Sequence, residues 1–339
     1  MKFAILVVII TMLALPAFAI EYTLTDLGRG EAFGINDLGQ VTGWRPDPNG
    51  GSDIAFVWSK STGFMNIGPS TGRVINNLGQ VAGDGWVWGP QVGIVPLSSL
   101  QGFYPFSSGG INASGQIAGS LRSDSGTYKA VLWNTPSDCV DLGVPNGWSG
   151  WAYDITSAGT IVGEMTNGPS NHAFTWNVST GLADIGDFGT RFARADGIND
   201  LGQVVGQYSP ADVRHAFLWS ATNGLLDLGT LLGWQSNSQA VKVNNNGLVV
   251  GWSMAVPSNP VPHAFVWSQS DGMVDLGLLG GGNSGATDIN SKNQIVGIFR
   301  DSQNFEHIAL WEPVPEPSSL LALTGLLAPM GIGLIRRKK

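Results

Sequence analysis

The chain has 339 residues, of which 48 are glycine, and only 12% are charged; with helix formers sparse outside the two termini, this composition points to many short strands joined by tight turns. The formal net charge is −8, and setting aside Lys2, Glu316, Arg336, Arg337, Lys338 and Lys339, which belong to targeting segments described below, leaves 12 Lys and Arg against 24 Asp and Glu, or −12. A domain this acidic offers no footprint for a phosphate backbone, which excludes nucleic acid as a partner.

The N-terminus begins with Lys2, continues through an apolar run from Phe3 to Leu15 and ends in Pro16-Ala17-Phe18-Ala19. Basic, hydrophobic and small-residue parts in that order form a secretory signal, with cleavage by signal peptidase expected after Ala19. The run is too short to span a bilayer comfortably. Residues 1–19 are therefore expected to be lost on export.

Next comes an unpaired Thr25-Asp26-Leu27-Gly28, and after it one module repeats seven times. Each copy has the form Ile-Asn-x-x-Gly-Gln-Val-x-Gly followed by a tryptophan; the copies start at Ile35, Ile75, Ile111, Ile155, Ile198, Val243 and Ile289, and the tryptophans are Trp58, Trp88, Trp133, Trp176, Trp219, Trp267 and Trp311. Self-similarity at a period of 36 to 46 residues means stacked or radial repeats. In the first copy four apolar stretches alternate with turn signals, at Ala32 to Asn36, Gln40 to Trp44, Ala55 to Ser59 and Phe64 to Gly68, and four strands per copy make a blade. Asn36-Asp37-Leu38-Gly39 places Asn first and Gly fourth in a type I turn. Six copies keep the Asn; Thr156 replaces it in the fourth, and Asn293 replaces the turn Gly in the last, as a residue that tolerates positive φ.

Blades with two apolar faces must cover one another, and seven arranged radially leave no long open edge. The sequence therefore predicts an all-β fold, a seven-bladed β-propeller of four-stranded blades over residues 20–312. An Asp-Leu-Gly mark follows each repeat tryptophan in full or degraded form except Trp311, so residues 21–28 are expected to supply the missing outer strand of the last blade and close the ring. The lone Cys139 cannot form an internal disulfide and, on an apolar strand, is expected to be a small buried hydrophobe.

His-Ala-Phe occurs at 172–174, 215–217 and 263–265, with His307-Ile308-Ala309 in the last copy. On these residues the region 22–311 resembles the HAF repeat of bacterial extracellular proteins, a resemblance that implies export and little chemistry. Equivalent positions on four blades radiate outward and cannot converge on one ion, so His172, His215, His263 and His307 are expected to be structural, with no metal and no cofactor. Phosphate-loop, Gly-x-Ser-x-Gly, His-Glu-x-x-His and Cys-x-x-Cys motifs do not occur. Catalytic residues are accordingly expected to be none and the chain not to be an enzyme. The alternative rests on Asp154 and Asp288, which precede the repeat Ile on the innermost strand, with Lys242 at the equivalent place: two carboxylates near the axis can serve a glycan hydrolase or lyase as acid and base.

Strand parity gives the better functional signal. Turns between strands one and two and between three and four lie on one face of the disc, while the variable loops lie on the other. That variable face collects Trp44, Phe103, Tyr104, Phe106, Trp148, Trp151, Tyr153, Trp234 and Trp252. Among these Trp44, Phe103, Tyr104, Trp148, Trp151 and Trp234 are the candidate ligand-binding residues, on the ground that aromatic rings on loops held by a rigid scaffold make a binding platform; about half of such rings are expected instead to cap the core.

Beyond Trp311 the chain runs Val314-Pro315-Glu316-Pro317, then without charge from Ser318 to Ile335, then Arg336-Arg337-Lys338-Lys339. The run is just long enough to cross a bilayer, and the basic tail would stay cytoplasmic. Motif, span and basic cluster in this order resemble the PEP-CTERM sorting signal of Gram-negative bacteria, which places Pro315, Glu316 and Pro317 at the motif and implies recognition and cleavage by an exosortase. Residues 313–339 are thus expected to anchor a precursor transiently in the inner membrane before release to the cell surface or extracellular matrix. The sequence reading is an exported, exosortase-sorted, non-enzymatic propeller that binds exopolysaccharide or a surface protein through its variable face; a purely structural matrix protein is the remaining alternative.

Overall fold

The computed structural model describes residues 20–210, 212–233, 235–255, 261–277 and 282–314. The predicted signal segment with Ala19, the candidate Trp234, the motif Pro315–Pro317, the transmembrane run and the basic tail Arg336–Lys339 lie outside the described residues. Within them are 28 strands in seven four-stranded antiparallel sheets, set as the blades of a closed propeller. Blade one comprises Glu31–Ile35, Val41–Arg45, Ile54–Ser59 and Gly63–Pro69, each within a residue of the stretch read from sequence.

The last blade takes its outer strand from the N-terminus. Tyr22–Arg29 pairs antiparallel with Glu306–Pro313, with Leu24 opposite Trp311 and Thr25 opposite Leu310. The closing strand sits one residue later than expected. The fold also runs past Trp311 and past the predicted boundary at 312, because Glu312 and Pro313 still pair with Thr23 and Tyr22 and the Val314 N–H donates to the Glu21 carbonyl at 2.8 Å.

The hydrophobic core lies between blades. Ala32, Ile35, Val41 and Phe56 of blade one pack against Val296, Ile308 and Leu310 of blade seven, so the ring is joined by apolar burial as well as by a shared sheet. Trp133 and Trp311 are fully buried, and each indole N–H donates across a blade boundary, to the Ser98 and Leu276 carbonyls at 2.8 and 3.2 Å. The repeat tryptophan thus fills the interface and satisfies its one polar atom there.

The turn asparagine joins neighbours as well. Asn36 Oδ1 accepts from the Leu38 and Gln40 N–H groups within its own turn, at 3.1 and 2.9 Å, while Nδ2 donates to the Asn76 carbonyl of the next blade at 2.9 Å. The pattern continues from Asn76 to Asn112, Asn112 to Thr156, Asn199 to Asn244, Asn244 to Asn290 and, closing the circle, Asn290 to Asn36. Thr156 has no amide to donate. At that joint the Ile198 N–H donates to Asp154 Oδ2 and both the N–H and the hydroxyl of Ser157 donate to Asp200. Turn residue Gly39 has φ of 74°, and Asn293 adopts the same left-handed conformation at 63°.

Candidate functional site

On the variable face the first and third strands of each blade begin and the second and fourth end, and an aromatic ledge forms where blade three meets blade four. The Phe106 ring stands edge-on to Tyr128 at 5.1 Å, Tyr128 lies 4.6 Å from Trp151, and the Arg122 guanidinium sits 5.8 Å from the Tyr128 centroid. Phe106 is exposed and Tyr128 and Trp151 are half-buried, so part of each ring remains open to a ligand. Phe106 reaches outward because the pairing of Phe103–Ile111 with Ile117–Ser123 slips between Pro105 and Ser107, a bulge that re-aims the side chain. Arg122 Nε is itself buried and makes no hydrogen bond within the described residues.

The structure separates the remaining candidates. Tyr104 is exposed beside the ledge, directly across the sheet from Arg122. Phe103 packs on the core formed by Leu121, Val131 and Trp133, and Trp148 packs on Phe174 and Leu142 with its ring edge-on to His172 at 5.4 Å; both cap the core. Trp44 turns its indole N–H to Glu31 Oε2 at 3.2 Å and borders a separate groove at the ring seam. Trp252 is held to Gln239. Tyr153 is half-buried near the axis, donates to Glu164 Oε1 at 2.8 Å, and is kept protonated by desolvation and by the Glu164 charge. Tyr128 and Arg122 were not legible as site residues, since neither lies in a long variable loop; the one available signal is that Tyr128 opens the third strand of its blade and so stands at the same face as Trp151.

Down the axis, strand-one residues line a cavity of about 250 Å³ on the asparagine-turn side and one of about 230 Å³ on the variable side, and Lys242 borders both. Lys242 Nζ lies 2.6 Å from Asp154 Oδ1, and although burial opposes its charge, Asp154 and Asp288 hold its pKa above the usual lysine value. The two carboxylates are not disposed as a free acid and base. Asp154 accepts from the Ile155 and Ile198 N–H groups, and Asp288 from Ile289 and Ile35, so each clamps its own blade to the next. Burial nonetheless raises Asp288 to about 6, against the pull of Lys242. Asp196, on the variable-side cavity, is likewise raised to about 6 by burial; its Oδ1 pairs with Arg194 at 2.8 Å and its Oδ2 has no partner among the described residues.

Each repeat histidine is bound within its own blade. Nδ1 of His172, His215, His263 and His307 meets Asp184, Asp227, Asp275 and Asp26 at 2.7 to 2.9 Å. The same aspartates accept from the glycine two residues on, at Gly186, Gly229, Gly277 and Gly28. Blade three substitutes a Lys129–Asp141 ion pair. Cys139 is half-buried, and burial together with Asp141 and Asp138 pushes its thiol up to about 11, which leaves it protonated and a poor nucleophile at neutral pH.

No protein-family model matches the chain, and no curated protein does. Similar solved structures include a TolB from Acinetobacter baumannii, 10% identical with a TM-score of 0.43 over 84% of this chain, which spans 64% of that longer chain. A Xanthomonas campestris gluconolactonase is 10% identical with a TM-score of 0.44, covering 87% of this chain and 90% of its own, and an Aleuria aurantia lectin in complex with a fucosyl disaccharide is 12% identical with a TM-score of 0.42, covering 88% and 99%. The expectation of a chain without enzymatic activity is corrected here: the solved structures to which the fold is similar include a gluconolactonase as well as a lectin, so the fold gives no ground for excluding an enzyme.

Proposed function

We propose that this is an exported propeller of the cell surface or extracellular matrix whose variable face binds matrix polysaccharide. The observation that carries the reading is the ledge of Phe106, Tyr128 and Trp151 with Arg122 at its edge. Apolar sugar faces stack on aromatic rings, and a guanidinium donor fixes the hydroxyls around them. The rings are positioned by strands rather than loops, so little order has to be imposed on binding. Export is supported by the N-terminal segment ending at Ala19, and surface delivery by Pro315-Glu316-Pro317, the uncharged run and the Arg336–Lys339 tail, with signal peptidase and an exosortase as the processing partners.

Calorimetric titration of the purified mature protein with the exopolysaccharide of the producing cell tests the binding claim. The wild type should bind, and Trp151→Ala with Tyr128→Ala should weaken binding by roughly tenfold or more, the usual cost of removing central aromatic contacts. An unchanged affinity in the double variant, or a wild type that binds no matrix polysaccharide, defeats the reading.

A further inference from the structure

The closing strand and the first blade enclose a groove of about 240 Å³ on the variable face, apart from the aromatic ledge. Its walls are Trp44 on one side and Phe305 on the other, with Arg29, Arg300, Asn304 and Glu306 between them. The size is below that of pockets that enclose a drug-sized molecule and suits a single ring. We propose that this seam groove is a subsite for a uronic acid residue of an acidic polysaccharide, stacked on Trp44 with its carboxylate on Arg29.

The assignment of roles follows from which groups are already occupied. Arg300 is spent within the fold, its Nη2 on Glu306 and its Nη1 on Asn304. Trp44 directs its only donor to Glu31, away from the groove, and offers the ring as surface. Arg29 differs: it is exposed, lies over the Phe305 ring with its guanidinium carbon 3.6 Å from the centroid, and forms no ion pair among the described residues. Stacking holds the guanidinium plane in place and leaves its N–H edge open for the bidentate grip that a planar carboxylate matches. A neutral sugar would leave that cation unanswered.

The groove is built by ring closure. Gly30 turns the chain from the closing strand into blade one with φ of 133°, and its N–H donates to the Glu306 carbonyl at 3.1 Å. A Cβ at this position would collide with the Trp44 carbonyl oxygen, so only glycine brings Arg29 and Trp44 this close.

The ligand class rests on the glycan-binding reading above, while the site is independent of the ledge. Tetragalacturonate and its carboxyl-reduced counterpart are titrated against the wild type, Arg29→Gln, Trp44→Ala and Val178→Ala, with thermal melts as a check that each variant is folded. The wild type should prefer the acid by roughly tenfold or more, the worth of a charge-assisted contact. Arg29→Gln should abolish the preference, Trp44→Ala should weaken both ligands, and Val178→Ala, at an exposed turn away from the groove and the ledge, should leave both within about twofold. Absence of acid binding or of preference in the wild type, or a preference retained in Arg29→Gln, overturns the assignment. If the cell's own polysaccharide still binds through Trp151 while tetragalacturonate does not, the groove alone is wrong; if tetragalacturonate binds through Arg29 while Trp151→Ala with Tyr128→Ala leaves the affinity for the cell's own polysaccharide unchanged, the ledge alone is wrong.

Discussion

His215 Nδ1 lies 2.9 Å from Asp227 Oδ2, and this contact fastens the third strand of blade five to its outermost strand. Tyr208 from the second strand donates to the same oxygen at 2.9 Å, and the Gly229 N–H caps Oδ1, so one aspartate gathers three strands' worth of donors. The outermost strand of a blade has only one neighbour in its sheet, and a charge-assisted bond to its end compensates for the missing partner.

Burial decides how much that latch contributes. His215 is fully buried and the Asp227 side chain is 19% exposed, whereas at the equivalent His172–Asp184 pair the aspartate side chain is 44% exposed. His215→Ala leaves a cavity and takes away one of the three donors that hold Asp227, and should lower unfolding free energy by about 2–4 kcal/mol. His172→Ala, screened by solvent, should cost about 1 kcal/mol or less. Equal shifts of the two variants in urea unfolding would show that the histidines act through something other than this bond.

The asparagine ring suggests a stabilising change. Six joints carry an Nδ2-to-carbonyl bond, and the joint after blade four lacks it because Thr156 accepts from the Thr160 N–H but has no amide to offer Asn199. Thr156→Asn keeps the acceptor and supplies the missing donor, and should stabilise the fold by about 1 kcal/mol. An unchanged or lower melting temperature would mean that the Asp154 and Asp200 contacts already fill that role, the space being taken by Ile198 and Ser157.

Asp288 and Asp196 fix the sign of a pH effect. Folding raises both from 3.8 to about 6, chiefly through burial, so between these values the folded state holds protons that the unfolded chain has released. Their contribution therefore falls as pH rises from about 4 to 6, with a slope of at most about 1.4 kcal/mol per pH unit for each group. Asp37 and Asp200, lowered by hydrogen bonds against the opposing effect of burial, act in the opposite sense and chiefly below the unfolded value of 3.8. Urea midpoints at pH 4.5 and 6.5 should show the loss in the wild type, and Asp288→Asn should flatten it. An identical pH slope in that variant would contradict the assignment.

What the sequence disclosed was what a local signal can carry. Asn36-x-x-Gly39 announces its turn within four residues, and Asp26-Leu27-Gly28 announces an outer strand, so blade number, strand number and closure all follow from marks read in place. The second half of each mark was hidden. Asn36 bonds a carbonyl 40 residues away and Asp26 a histidine 281 residues away, and such partners exist only once the blades are set side by side. The partners of Asp154 and Asp288 were hidden for the same reason: their proximity to the axis was legible, but the N–H groups of Ile198 and Ile35 that donate to them come from neighbouring blades. Tyr128 escaped notice because it opens a strand instead of standing within a loop.

Ring closure yields the most direct test of the architecture. Tyr22–Arg29 covers the last strand of blade seven, where Ile308, Ala309, Leu310 and Trp311 are all buried. Ile20, Tyr22 and Leu24 pack on the cluster containing Trp311, and Leu27 packs on the cluster that joins blades seven and one. Removing residues 20–30 would strip this cover, unpair the backbone of Glu306–Pro313 along a new edge, and open the groove between Arg29 and Trp44. A chain beginning at Glu31 should therefore melt well below one beginning at Ile20 and should aggregate, because an exposed apolar strand edge pairs with another copy. Adding a synthetic peptide of residues 20–30 in trans should restore part of the loss by re-forming the outer strand, a response expected only if the edge itself is the defect. Equal melting temperatures for the two chains, with no effect of the peptide, would show that the seven blades hold together without the N-terminal strand.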